Sequence, residues 1–358
     1  IVNTNYTPDF RARKSVFAFG KRLICLGTNI TNTNNTYATE TTIFQNSLSA
    51  QTETITVDGA STVAYTTNQT INKATATVLS DVLGNYYRIA PQMSLKIKGS
   101  TQSSNDQSTL ATTTGDFVTA WINHGTAPTN AAYEYMIMLK PTAYEISNWT
   151  TAPGYTVIQN NSTAHIVKDS DSNTTGYVCF LATTPATGLL TSCSAETLVM
   201  LKENDTAHVD ISVGDPALHL GVQMQGSAST TSPSQAVVKQ LNIAGNWTFD
   251  IASSAVNLSY SGGNTTLAVS CQYGIPVEFK LKKVSTALSD MRTDNLLKIS
   301  NRSVEFTQAG TFEVFSTNGS LLKSAHVAAN EILNFHPGLY LLRFVTNEAI
   351  LNQKLLIY

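Results

Sequence analysis

Residues 133–141 read YEYMIMLKP, and this stretch decides the fold. Successive side chains of a strand point to opposite faces. Tyr133, Tyr135, Ile137 and Leu139 then share one face, and Met136 and Met138 take the other. Both faces are apolar, which is the pattern of a strand covered on two sides. Further strands extend from it in both directions. Upstream, SVFAFGKRLICLG (15–27) holds two apolar runs around Gly20-Lys21, a tight hairpin turn. TETITVDG (52–59) alternates Thr with Ile55 and Val57, and GNYYRIAP (84–91) opens on a turn signal. Downstream, Ala152-Pro153-Gly154 reads as a linker. Short strands then return, among them TGYVCFLAT (175–183), ETLVMLKEND (196–205), AHVDISVGDP (207–216) and VNLSYSGGNTTLAVSCQYG (256–274). A polar stretch at 226–235 interrupts them, and a second break falls at 285–295. The remainder carries Asn318-Gly319, the strongest short hairpin signal. No segment shows a helical period with caps, and no fixed repeat is visible. The expectation is an all-β chain in three parts: an antiparallel β-sandwich over 1–152, a smaller sandwich over 153–284 and a small Ig-like β domain over 285–358.

The bulk numbers limit the function classes. A length of 358 residues with 42% hydrophobic content supports two or three packed domains. Charged residues are only 13%, with Asn, Thr and Ser in their place, a mix suited to strands with polar outer faces. A net charge of −2 supplies no basic field for nucleic acid. No apolar run of ~18 residues is present to cross a membrane as a helix. The chain opens on Ile1 with no leader pattern, so it is expected to begin inside a longer precursor or after processing. Cys25, Cys179, Cys193 and Cys271 are too scattered for a zinc site and read as buried free thiols, with Cys179 and Cys193 able to face each other across neighbouring strands. The motif Asn-x-Ser/Thr occurs about fourteen times, which in so Asn- and Thr-rich a chain reads as composition.

Catalytic motifs are sparse. The six histidines show no HExxH spacing, and no GxSxG elbow or GxxxxGK loop occurs. His208 and Asp210 share a strand face and read as a solvent-side polar pair. DSDSN (169–173) lacks the Gly and distal Glu of a calcium loop and reads as a polar turn. No metal or cofactor is called for. Arg11 and Arg13 share one face of a regular strand. Their planar forks suit carboxylate or sulfate groups, and basic residues also protect a solvated sheet edge. Trp121 and His124 raise a similar choice. Trp121 within FVTAWI is either a platform for a sugar ring or core, and reads as core. His124 before Gly125 sits at a turn that its ring can hold through a backbone group.

Longer blocks carry a resemblance. DFRARKSVFAFGKRLICLGTNITNTNNTYATETTIFQNSL (9–48), AWINHGTAPTNAAYEYMIMLKPT (120–142), HIVKDSDSNTTGYVCF (165–180) and YGIPVEFKL (273–281) occur in the order in which similar blocks occur in polysaccharide lyase family eight. They most resemble the β region of its chondroitin sulfate ABC lyases. The resemblance implies cleavage of a uronate-containing glycan by β-elimination, with chondroitin, dermatan or hyaluronan as substrate. A base removes the C5 proton once neighbouring donors neutralise the carboxylate. It also implies that the Tyr and His serving as acid and base lie on an upstream helical domain of the same precursor. The family's Glu of the β region is expected just before Ile1. No catalytic residue is therefore assigned, and Arg11, Arg13, Trp121 and His124 are kept as residues lining a glycan cleft. The stretch FEVFSTNGSLLKSAHVAANEILNFHPGLYLLRFVTNEAILNQKLLIY (312–358) resembles the C-terminal sorting domain of type IX secretion, which implies a secreted or bacterial cell-surface protein. The other reading, of a different class, is a non-catalytic glycan-binding or cell-surface β-sandwich protein.

Overall fold

The computed structural model of the protein describes residues 2–3, 9–220, 234–284, 296–300, 302–346 and 350–357. The break at 285–295 and most of the polar stretch at 226–235 lie outside the described residues. The chain forms two compact units, Ile1–Lys283 and Val284–Tyr358. The expected division at 152/153 lies inside the first of them.

The first unit is built from two pairs of antiparallel sheets. One pair sets an eight-stranded sheet against a four-stranded one. In the eight-stranded sheet, Ala131–Met138 lies between Arg22–Thr31 and Tyr86–Ile89. The four-stranded sheet runs Ala38–Ser47, Thr112–Thr126, Ser94–Asn105, Asn68–Asn72. The other pair is a seven-stranded sheet, with Ala164–Asp169, Thr174–Cys179 and Thr197–Glu203 side by side, and a four-stranded sheet centred on Val237–Ala244 and Asn264–Cys271. Hairpins close where the sequence marks them, at Gly20 (φ 58°) and at Gly262-Gly263 (φ 58° and 77°).

The YEYMIMLKP strand is covered on both sides. Tyr133 and Tyr135 enter the core of the first sandwich with Ile55, Leu79, Ile97 and Val118. Met136 and Met138 enter a separate core with Phe17, Phe19, Ile24, Leu26, Tyr155 and Val167. The second core is the seam between the two sandwiches, since Tyr155 and Val167 belong to the seven-stranded sheet. Burial of eight such side chains removes enough apolar area to hold the pair as one unit.

One expectation needs correction. Ala143–Thr151 is an α-helix, opened by a complete capping box in which Thr142 and Glu145 bond each other's backbone N–H groups. The Thr-x-x-Glu signature stands in the sequence at 142–145. The fold remains all-β, because this nine-residue element is the single helix among the described residues.

At Gly99 the backbone of the Ser94–Asn105 strand passes against the Ala64–Tyr65 segment, and a Cβ would lie 1.9 Å from the Ala64 carbonyl oxygen. Backbone cannot swing away as a side chain can. Gly99→Ala is expected to cost about 1–3 kcal/mol through overpacking. A lowered melting temperature checks this, and an unchanged one would refute the close approach.

The second unit, taken by itself, pairs a three-stranded sheet with a four-stranded one around Phe306, Phe312 and Phe344. Gly319 (φ 84°) turns the hairpin that joins Gly310–Phe315 to Leu321–Val327.

Candidate functional site

The two arginines have different surroundings. Phe10 and Ala12 both pack on the sandwich core, so Arg11 and Arg13 take the opposite parity, as regular alternation gives. The register shift beside them lies in the partner strand, where Asn29 (φ 53°) and Ile30 stand opposite Ala12, and Arg11 stays exposed. Arg13 is half-buried. Its guanidinium carbon lies 5.2 Å from the centre of the Phe180 ring, which belongs to the second sandwich. A cavity of about 480 Å³ opens there, lined by Arg13, Lys14, Phe180, Glu196 and Leu198 among others. One terminal nitrogen of Arg13 is buried without a hydrogen-bond partner.

Trp121 and His124 are close in sequence and point to different sides. Val118, Ala120 and Ile122 take the core-facing parity of the Thr112–Thr126 strand. Trp121 therefore lies on the outer face with Thr119, half-buried, and does not belong to the core as its residue type suggested. It forms one wall of an open groove of about 280 Å³, shared with Glu40, Thr42, Gln45, Lys98, Ser100, Gln102 and Thr119. His124 is not at a turn but in a strand end distorted by a bulge between Asn123 and Thr126. Its Nε2 lies 2.9 Å from the hydroxyl of buried Thr41, a side-chain rather than a backbone partner. Burial first, and the charge of Lys14 second, hold its pKa below the ordinary value. Lys14 sits 5.9 Å from the centre of the Tyr133 ring, and the His124 and Tyr133 rings are 6.2 Å apart. The four residues thus have four different surroundings and do not converge on one point.

Two residues at the seam carry more chemistry than the sequence suggested. His165 is fully buried between the sandwiches. The Ser15 hydroxyl lies 2.7 Å from Nδ1 and the Thr28 hydroxyl 2.8 Å from Nε2, and Phe180 meets the ring edge-on at 4.8 Å. Burial, with Arg13's charge adding, pushes its pKa down to about 4. Arg22, 3% exposed, donates to Asp169 at 2.5 Å, Asp171 at 2.6 Å and the Pro153 carbonyl at 2.6 Å, and stacks 4.9 Å from the Trp149 ring. The turn at 169–173 is thus an arginine-holding polar turn, in which Asp169 also accepts from the Ser172 N–H and hydroxyl. His208 bonds Asp205 rather than Asp210, whose partners are Asn204 and Lys280. All four cysteines are buried free thiols. Cys179 and Cys193 come from facing sheets, not neighbouring strands, and meet in the core between them. No cluster fit to hold a metal ion occurs among the described residues.

The same arrangement of sheets recurs in solved structures. A Paenibacillus xanthan lyase matches 99% of this chain and 41% of its own, at 19% identity and a TM-score of 0.64. A Streptomyces coelicolor chondroitin AC lyase matches 78% of this chain and 33% of its own, at 19% identity and a TM-score of 0.56. The fold is that of the β region of a polysaccharide lyase. The chain carries family 8 polysaccharide lyase domains: residues 2–148 match the polysaccharide lyase family 8 super-sandwich domain and residues 156–220 its C-terminal β-sandwich domain. Among curated proteins, it is 28% identical over 282 residues to the chondroitin sulfate ABC endolyase of Proteus vulgaris, covering 77% of this chain and 26% of that one. It is 36% identical over 214 residues to the Proteus vulgaris chondroitin sulfate ABC exolyase, covering 59% and 21%. The chain spans about a quarter of the length of the curated relatives it matches.

Proposed function

We propose that this chain is the C-terminal β portion of a secreted lyase that cleaves chondroitin sulfate, dermatan sulfate or hyaluronan by β-elimination at the uronic acid. In this reading the acid and base belong to a helical domain of the same longer protein, the present chain is its scaffold, and alone it is inactive. The observation that carries the reading is the pair of consecutive family 8 domain matches, in order, with chondroitin ABC lyases as relatives. The seam adds support: the imidazole of His165 is fully buried and bound to hydroxyls at both nitrogens, which suits holding two sandwiches together rather than taking a proton from a polymer. The described part of residues 285–358 forms a compact β unit of its own, which agrees with a role as a sorting domain and with an exported, cell-surface or secreted protein.

The test compares the chain 1–358 with the longer protein on chondroitin sulfate, dermatan sulfate and hyaluronan, following the ultraviolet absorbance of the unsaturated uronate product. The chain alone is expected to give none and the longer protein to give steady turnover. Turnover by the chain alone would overturn its assignment as scaffold. A longer protein inert on all three glycans would overturn the lyase. One observation favours the second reading, a glycan-binding surface protein without cleavage: the open polar groove beside Trp121.

A further inference from the structure

We propose that the outer face of the four-stranded sheet formed by Ala38–Ser47, Thr112–Thr126, Ser94–Asn105 and Asn68–Asn72 is a binding surface for an anionic polysaccharide. The inference goes beyond the lyase reading, because it assigns this chain a non-catalytic site of its own.

The register places the side chains of that face in rows. Thr42, Trp121, Lys96 and Thr70 form one row across the four strands; Gln45, Thr119, Lys98 and Asn68 form the next. Ser47, Phe117 and Ser100 form a third. Rows of this parity repeat every ~7 Å along a strand and neighbours within a row sit ~4.8 Å apart. The face is thus a lattice of hydroxyls, amides and two ammonium groups, with aromatic rings at Trp121 and Phe117 and a bulge in Ala38–Ser47 between the first two rows. It offers no contiguous apolar patch of the kind that a protein partner would cover.

Three details favour a ligand that is both sugar-like and negatively charged. First, the amides are already ordered. Gln45 Nε2 donates to Gln102 Oε1 at 2.6 Å, and Gln102 Nε2 donates to the Thr119 hydroxyl at 3.1 Å. The amides already bond one another and the Thr119 hydroxyl in the free chain, which lowers the ordering cost of recognition. Second, Trp121 forms a wall of the groove, and its indole nitrogen is buried without an acceptor among the described residues, so the ring rather than the N–H is what the groove presents. An aromatic face flanked by amides and hydroxyls matches the apolar face and hydroxyl rim of a pyranose ring. Third, neither Lys96 nor Lys98 has a carboxylate partner among the described residues. Lysines elsewhere do: Lys73 with Asp58, Lys168 with Glu203, Lys280 with Asp210. Glu40 shares the groove with Lys98, and the face still carries a net positive charge. Two ammonium groups one row apart suit carboxylates or sulfates spaced along a sugar chain. They are too few for the dense phosphates of nucleic acid, and the chain as a whole is at −2.

The experiment is affinity electrophoresis and calorimetry of the full 358-residue chain with three probes: chondroitin sulfate, unsulfated chondroitin and neutral dextran. The chain is expected to bind the two anionic polymers, chondroitin sulfate the more tightly, and to leave dextran alone. Added salt weakens the binding. The double variant K96A/K98A, two surface changes that spare the core, should bind about tenfold more weakly, the loss expected of two exposed ion pairs. Trp121→Ala should also weaken binding, with its melting curve recorded to separate lost contact from lost fold. The proposal is overturned if the unaltered chain binds neither anionic polymer, if it binds dextran equally well, or if K96A/K98A binds as before. Binding is read without turnover, so an inactive longer protein would sink the lyase reading and leave this one standing.

Discussion

Arg22→Met is expected to lower the melting temperature of the chain by roughly 6–12 °C, from a loss of about 3–5 kcal/mol. The reason is what the substitution leaves behind. Asp169 is 1% exposed, and Arg22 is its charged partner at 2.5 Å. With Arg22 gone, a carboxylate stays buried with only the Ser172 N–H and hydroxyl to hold it. Removing one member of a buried pair costs much more than the pair itself contributes, because the remaining charge is desolvated and uncompensated. Asp171, 58% exposed, loses little, since water takes over. Arg22 also donates to the Pro153 carbonyl and stacks on Trp149, so the helix and the linker lose their anchor together. Arg22→Lys should fall between wild type and Met. An ammonium keeps the charge but cannot span two carboxylates and a carbonyl as a planar fork does. The double variant R22M/D169N should recover part of the loss, because it removes the stranded charge. Thermal melts of the four proteins decide the matter. If R22M melts with the wild type, the clamp contributes nothing; if R22M/D169N is no better than R22M, buried charge is the wrong cause.

How much of this was legible in the sequence varies with the kind of signal. The YEYMIMLKP strand was legible because burial on two faces leaves apolar residues on both parities, with Glu134 the exception inside the strand, and Tyr133 with Tyr135 and Met136 with Met138 divide between the two cores as the alternation requires. Trp121 was legible by parity and obscured by type. Val118, Ala120 and Ile122 claim one face, which leaves Trp121 with Thr119 on the other, yet a large aromatic is the residue most readily given to a core. Arg22 shares parity with Ile24 and Leu26, both fully buried, so its inward direction stood in the pattern as well. Its partner did not, because Asp169 lies 147 positions away and no local period connects them. The Thr142–Glu145 capping box is written in four residues, but the nine residues of helix that follow are too short to show a period. The register shift opposite Ala12 has only a faint sequence mark, Asn29, a residue type that tolerates its φ of 53°. It lies in the Arg22–Thr31 strand, so Arg11 and Arg13 keep the parity that alternation gives them and differ in surroundings: Arg13 is half-buried against the Phe180 ring and Arg11 is exposed.

His165 sets the largest expected pH dependence. Its imidazole is 0% exposed and its pKa is about 4, against about 6.5 in an unfolded chain. The groups around it are the Ser15 and Thr28 hydroxyls, the Phe180 ring and, as the charge acting on it, Arg13. A second positive charge at this point would meet no carboxylate among these groups and would face a guanidinium. The sign follows from proton counting. Between pH 6.5 and 4 the unfolded chain binds a proton at this site and the folded chain does not, so stability rises with pH there. Stability is fully present above about pH 6.5, falls as the pH drops towards 4, and loses no more from this group below that. The 2.5-unit depression corresponds to about 3 kcal/mol. His165→Asn keeps polar atoms near both hydroxyls and cannot titrate. It should be less stable than wild type at pH 7.5, where the imidazole fits its two partners best, and should lose less stability on acidification. Urea unfolding of both proteins at steps from pH 7.5 to 4 gives the difference curve, in which carboxylate contributions common to both cancel. A difference that shrinks by about 3 kcal/mol over that range assigns the acid sensitivity of the seam to one imidazole. Parallel curves would mean that His165 takes its proton in the folded state as readily as in the unfolded one. In that case the Ser15–His165–Thr28 arrangement would not be held as a neutral hydrogen-bonded bridge between the two sandwiches.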